Sequence, residues 1–137
     1  MDRYVKAFIV ISIVYLGLAS VLGVFMIMNQ NLLSLKFVHS HLMLIGWVSM
    51  MIYGVGYHIL PRFSGRLIKS KALVGLQFWL ANIGLIGMVL FYTLKSYHPE
   101  VDAYRILTGL SGVVEILSIA VFFYNMLATL LAKQEEA

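Results

Sequence analysis

Long uncharged stretches alternate along this chain with short stretches crowded with charge. Residues 7–35, 37–61 and 72–94 hold no acid or base, and 106–132 holds Glu115 alone. Each run is longer than the about 20 apolar residues that a helix needs to cross a hydrocarbon core. Within a bilayer every backbone polar group must be satisfied internally, and the alternating pattern of a barrel strand is absent, so the runs predict helices. Helices are expected near 5–28, 37–60, 72–95 and 103–131, forming one domain over 1–137. The first run is too long and too weakly cleavable for a removable signal peptide and is expected to be the first span.

Composition agrees with this pattern. Of 137 residues, 61% are hydrophobic and 12% charged, with no cysteine; an ordinary soluble domain carries about 25% charge. These values argue against a soluble enzyme, a nucleic-acid-binding module and a secreted disulfide scaffold. The net charge of +4 reads as a topology signal instead. Arg62, Arg66, Lys69 and Lys71 sit between the second and third runs, and Arg3, Lys6 and Lys133 fall on the same side. Lys36, Lys95 and Arg105 occupy the other. The positive-inside rule then predicts a multi-pass protein of the inner (plasma) membrane with both termini cytoplasmic. The fold class expected is an all-α integral membrane protein, a four-helix transmembrane bundle.

Polar residues inside spans carry the functional information in such a protein. His39 and His41 lie about one turn inside the outer end of the second run, in FVHSHLMLIGW. Two positions along a helix turn the side chain by about 200°, so the two imidazoles point to nearly opposite sides and cannot easily grip one ion together. Each can present a nitrogen to a different cofactor or to a neighbouring subunit. Hydrogen bonding within the bundle, or contact with headgroups, would explain the pair equally simply. His58 follows at the other end of the same helix and reads as structural, beside Pro61. His98, in the loop before Pro99, is a surface histidine by default and a spare ligand otherwise.

The residues around the pair add a resemblance. HSHLMLIGWVSMMIYGVGYHILPRFSG (39–65) resembles helix ten of subunit I in the haem–copper oxidase and nitric oxide reductase superfamily. The shared features are the HxH pair, Gly54 and Gly56, the late His58, Pro61 and the Phe63-Ser64-Gly65 exit. GLQFWLANIG (75–84) is similar to the start of helix eleven, and HPEVDAYRILTGLSGVVEILS (98–118) to the beginning of helix twelve. The likeness covers nearly the whole chain but only the last third of an oxidase subunit I.

That resemblance implies one arc of a haem–copper oxidase-like fold. It implies that His39 takes the role of the ligand to the high-spin haem iron, and His41 that of the ligand to the low-spin haem. The family's copper ligands and its opposite low-spin ligand come from helices this chain does not contain, so no copper is expected, nor an oxidase working alone. The family's twelve helices form three pseudo-equivalent arcs, so a homotrimer of this chain would rebuild the ring, pairing His41 of one protomer with His39 of the next; a homodimer is the lesser alternative. A chain without cysteine has no CxxCH for covalent attachment, so a non-covalent haem b, or a farnesylated relative, is expected. Lys36, Lys95 and Arg105 are candidates to pair with its propionates, Lys95 standing nearest to the family's arginines, and headgroup snorkelling would account for the same bases. Met43 is a fallback axial ligand. Three functions are open: a b-type cytochrome transferring electrons to an unidentified redox partner, an oxygen- or nitric oxide-binding sensor or simple reductase, and an accessory or split oxidase subunit without haem.

Glu115 is the one formal charge deep in a span. Counted inward from the helix ends, it lies at the depth of Asn82 and Ser49, so the three are expected to form a polar cluster. This reads as interhelical glue, with a proton path the alternative.

Overall fold

The structure is a computed structural model and describes residues 1–132; Lys133, one of the bases counted above, lies outside them. Five helices, α1 (Arg3–Met28), α2 (Lys36–His41), α3 (Met50–Phe63), α4 (Lys71–Tyr97) and α5 (Asp102–Leu130), build four spans. All four are long and apolar enough to cross a membrane, the second running Gln30–Phe63. Many of the large side chains that face outward are aliphatic or aromatic, among them Val14, Leu18, Val21, Ile83 and Ile116. A bilayer tolerates such a surface and water does not.

The ends of the helices follow their sequence. Asp2 caps α1 by accepting from the Tyr4 amide at 2.9 Å, and Ser70 caps α4 by accepting from Leu73 at 3.3 Å, each satisfying an otherwise orphaned donor. Proline does not end the second span: α3 runs through Pro61 to Phe63. It stops where Gly65 adopts φ +63°, with Arg66 N–H bonded to the Pro61 carbonyl and Gly65 N–H to that of Arg62. This is a Schellman closure, which glycine alone enters without strain.

Two features depart from the expected straight second helix. The stretch expected as an outer loop, about 29–36, is instead a 3-10 helix over Gln30–Leu35 that leads directly into α2. Between α2 and α3 the chain is π-helical over Leu42–Ser49. Its i→i+5 closures place an extra residue in each turn, so everything beyond His41 is rotated relative to an ideal α-helix.

Aromatic packing fastens the bundle near the Arg62–Lys71 end. Phe8 of α1 meets Phe78 of α4 edge-on at 5.1 Å and Tyr53 of α3 at 5.7 Å, and Tyr53 and Tyr57 both pack on Phe122 of α5. Close helix approach needs two glycines in particular. A Cβ on Gly54 would lie 2.7 Å from Ile9 Cγ1, and one on Gly84 2.8 Å from the Glu115 backbone nitrogen. Below them, Asn125 of α5 braces the loop before α4. Its Oδ1 accepts from Ser70 N–H at 3.1 Å, and its Nδ2 donates to the Ser70 carbonyl at 2.9 Å.

Candidate functional site

The turn that carries the HxH pair lies where the second span passes between α1 and α4. His39 turns toward α1: its Nδ1 is 3.0 Å from the Ala19 carbonyl oxygen. Its ring lies over Gly23, where a Cβ would come within 3.0 Å of His39 Cε1. Gly23 is therefore what admits the imidazole against the first helix. His41 turns the other way. Its ring stacks on Phe37 at 3.8 Å, and Phe37 stacks in turn on Tyr92 of α4 at 4.1 Å, while its Nδ1 is 2.9 Å from the Phe37 carbonyl oxygen. The opposed directions expected from the two-residue spacing are present.

A carbonyl oxygen can only accept, so both contacts require Nδ1–H as the donor. Both rings are then held as the tautomer whose Nε2 carries a free lone pair. This is the second-layer arrangement that metal-binding histidines characteristically have, the outer N–H fixed by a carbonyl and the inner nitrogen left to ligate. Both side chains are half-buried. His39 opens onto a cleft of about 550 Å³ between the end of α1 and the 3-10 turn, lined by Met26, Ile27 and Leu33. The two imidazoles and their tautomers fit axial ligands for a haem, and the His39 cleft is lined mainly by apolar side chains, with Gln30 its polar member. Among the described residues no three His, Cys, Asp or Glu side chains converge as a metal cluster.

The basic candidates part company here. Lys95 places its ammonium 5.6 Å from the centre of the Tyr92 ring, so it stands at the end of the column His41–Phe37–Tyr92. Lys36 is exposed at the first turn of α2. The Arg105 guanidinium is engaged with Asp102 at 3.3 Å, and His98 is 3.4 Å from Glu100, both pairs largely exposed. His58 accepts from Arg62 at 2.8 Å. Met43 packs against the hydrophobic core.

The expected Glu115–Asn82–Ser49 cluster does not form. Asn82 instead accepts from Tyr15 O–H at 2.7 Å and donates to the Phe78 carbonyl. Ser49 donates to the Leu44 carbonyl, five residues back, as the π-helical stretch dictates. Glu115 is 2% exposed and neither of its carboxyl oxygens has a partner among the described residues. Counting depth along ideal helices misplaced Ser49, because the π turns rotate it. The aromatic column was legible in principle, since Phe37 stands four residues before His41 and shares its face.

Four apolar spans with two opposed, tautomer-fixed imidazoles near one end define a multi-pass helical membrane protein with candidate ligands turned toward different neighbours. Over 85 residues the chain is 35% identical to the cbb3-type cytochrome c oxidase subunit CcoN1 of Stutzerimonas stutzeri, covering 58% of this chain and 18% of that protein. Over 121 residues it is 24% identical to a cytochrome c oxidase subunit 1 homolog of Agrobacterium tumefaciens, covering 72% of this chain and 22% of that one. No family model matches. These distant similarities bear out the resemblance to a C-terminal part of haem–copper oxidase subunit I. The chain spans about a fifth of the length of the curated relatives it matches.

Proposed function

We propose that this chain is a membrane-bound b-type haem protein whose haem is held by His39 and His41 across a subunit interface. One observation carries the reading: both imidazoles are fixed by Nδ1–H donation to backbone carbonyls, with Nε2 free, and they face different neighbouring spans. One chain cannot close both nitrogens on a single ring, because a two-residue step along the helix opposes them. Spans one, three and four offer no histidine in their apolar runs, so the second ligand comes from another copy. A homotrimer of four-helix arcs, both termini cytoplasmic, gives identical interfaces that each join one His41 to one His39; a homodimer sharing one haem is the lesser form.

Haem bound in this way would supply reversible one-electron chemistry. The chain's own part is to orient each imidazole, to exclude water with the apolar lining, and to offer Lys95 and Lys36 as cations for propionates. Arg105 is the weaker candidate, since Asp102 already holds it. Mixing tests the sharing directly. His39→Ala and His41→Ala variants, each expected to lose haem alone, should recover it when co-expressed, because a mixed interface can still join His41 of one chain to His39 of the other. Absence of recovery, with both variants folded and associated, contradicts the shared site.

A second reading has its own support. The chain matches only about a fifth of each relative, as would a subunit that completes a larger oxidase-like bundle. Co-purification with a chain lacking its own last four helices would favour that reading.

A further inference from the structure

At the end of the bundle away from the HxH pair, a cleft of about 280 Å³ opens between the start of α1, the end of α3 and the loop before α4. Arg62, Arg66, Lys71 and the Tyr57 side chain line it. Tyr57 is 2% exposed, and its hydroxyl, with only the Asn125 side chain in reach, makes no close hydrogen bond among the described residues. The Arg66 Nε and Nη1 atoms are likewise out of solvent contact and without a partner there. Buried donors are rarely left unmade, because each orphan forfeits its hydration. The two unmatched Arg66 donors, with the weakly held Tyr57 hydroxyl beside them, call for an acceptor at this basic cleft.

Asp2 also lines the cleft, but it caps α1 through the Tyr4 amide, and three cations outnumber it. We infer that the cleft binds a phosphate group, and that its source is the headgroup of an anionic phospholipid. A guanidinium fork matches two phosphate oxygens in a plane, and a phenol adds a third donor. The lipid source follows from the apolar part of the wall: Val5, Pro61, Leu67 and Ile68 line the same cleft, and the neighbouring Phe63 and Leu67 side chains are among the most exposed apolar groups of the protein. Such a rim suits glycerol and acyl carbons, and a basic pocket between spans suits an anionic headgroup. The inference stands independently of haem binding.

The test uses the full chain reconstituted in vesicles of mixed phosphatidylcholine and phosphatidylglycerol, then examined by native mass spectrometry. Phosphatidylglycerol should stay bound in preference to phosphatidylcholine, at one per chain. Arg66→Gln should cut that retention about tenfold, as loss of a charge-assisted pair predicts. Tyr57→Phe should cut it less, and Glu100→Gln, in the exposed loop at the opposite end, not at all. Circular dichroism checks that each variant is helical, and Tyr57→Phe keeps the test alive should Arg66→Gln fail to fold. Equal retention of the two lipids, or full retention by both cleft variants, overturns the site. If inorganic phosphate stabilises the lipid-free protein as much as phosphatidylglycerol does, and displaces it, the lipid source is overturned in favour of a soluble anion.

Discussion

The His39 imidazole lies over Gly23, and its Nδ1–H donates to the Ala19 carbonyl one turn earlier on the same helix. One side of α1 thus holds the ring and fixes its tautomer, through a backbone acceptor and a missing side chain. Gly23→Val should push the ring off this seat and lower haem affinity about ten- to hundredfold, the usual cost of losing a ligand's outer support, with the helical content unchanged. Haem titration beside circular dichroism reads both. Wild-type affinity in Gly23→Val would show that the seat is irrelevant.

Glu115 is buried without a partner among the described residues, where an isolated carboxyl costs stability. Glu115→Gln is therefore expected to be neutral or mildly stabilising in thermal or detergent unfolding. A loss of more than about 2 kcal/mol would mean that the carboxyl has a partner, which losing a buried pair would expose.

Tyr15 and Asn82 give the contrasting case, because their 2.7 Å bond ties α1 to α4. Tyr15→Phe should cost about 1 kcal/mol, typical of a polar bond between spans. A double-mutant cycle with Asn82→Leu should return a coupling of that size, and a coupling of zero would remove the bond from the account.

Asn125 closes both backbone groups of Ser70. Asn125→Ala leaves a donor and an acceptor unmet and should destabilise by about 2–4 kcal/mol, with hydrogen exchange rising first in residues 66–71. Unchanged exchange there would contradict the brace.

Much of this architecture is written in the chain. The uncharged runs located three spans to within about two residues, because excluding charge from hydrocarbon is the strongest constraint present, while the second begins at Gln30, ahead of the expected start at 37. The HxH spacing foretold opposed imidazoles, since α2 is regular as far as His41. Beyond it the reading failed for a physical reason. Nothing in LMLIGWVS marks a π-helical stretch, which packs against Tyr15 and Leu85 around Gly46, so Ser49 ended on the wrong face to meet Glu115. The Tyr57–Arg66 cleft was equally hidden, because it exists only once α1 returns its first turn to the end of α3.

The central claim is that His39 and His41 both ligate haem, and the optical spectrum of the detergent-purified protein, oxidised and then dithionite-reduced, tests it most directly. The account predicts sharp low-spin bands that reduce without change of coordination, are carried by an oligomer, and are lost in both His39→Ala and His41→Ala. A protein with no Soret band even after haem addition, or one whose full low-spin spectrum survives either substitution, would contradict it.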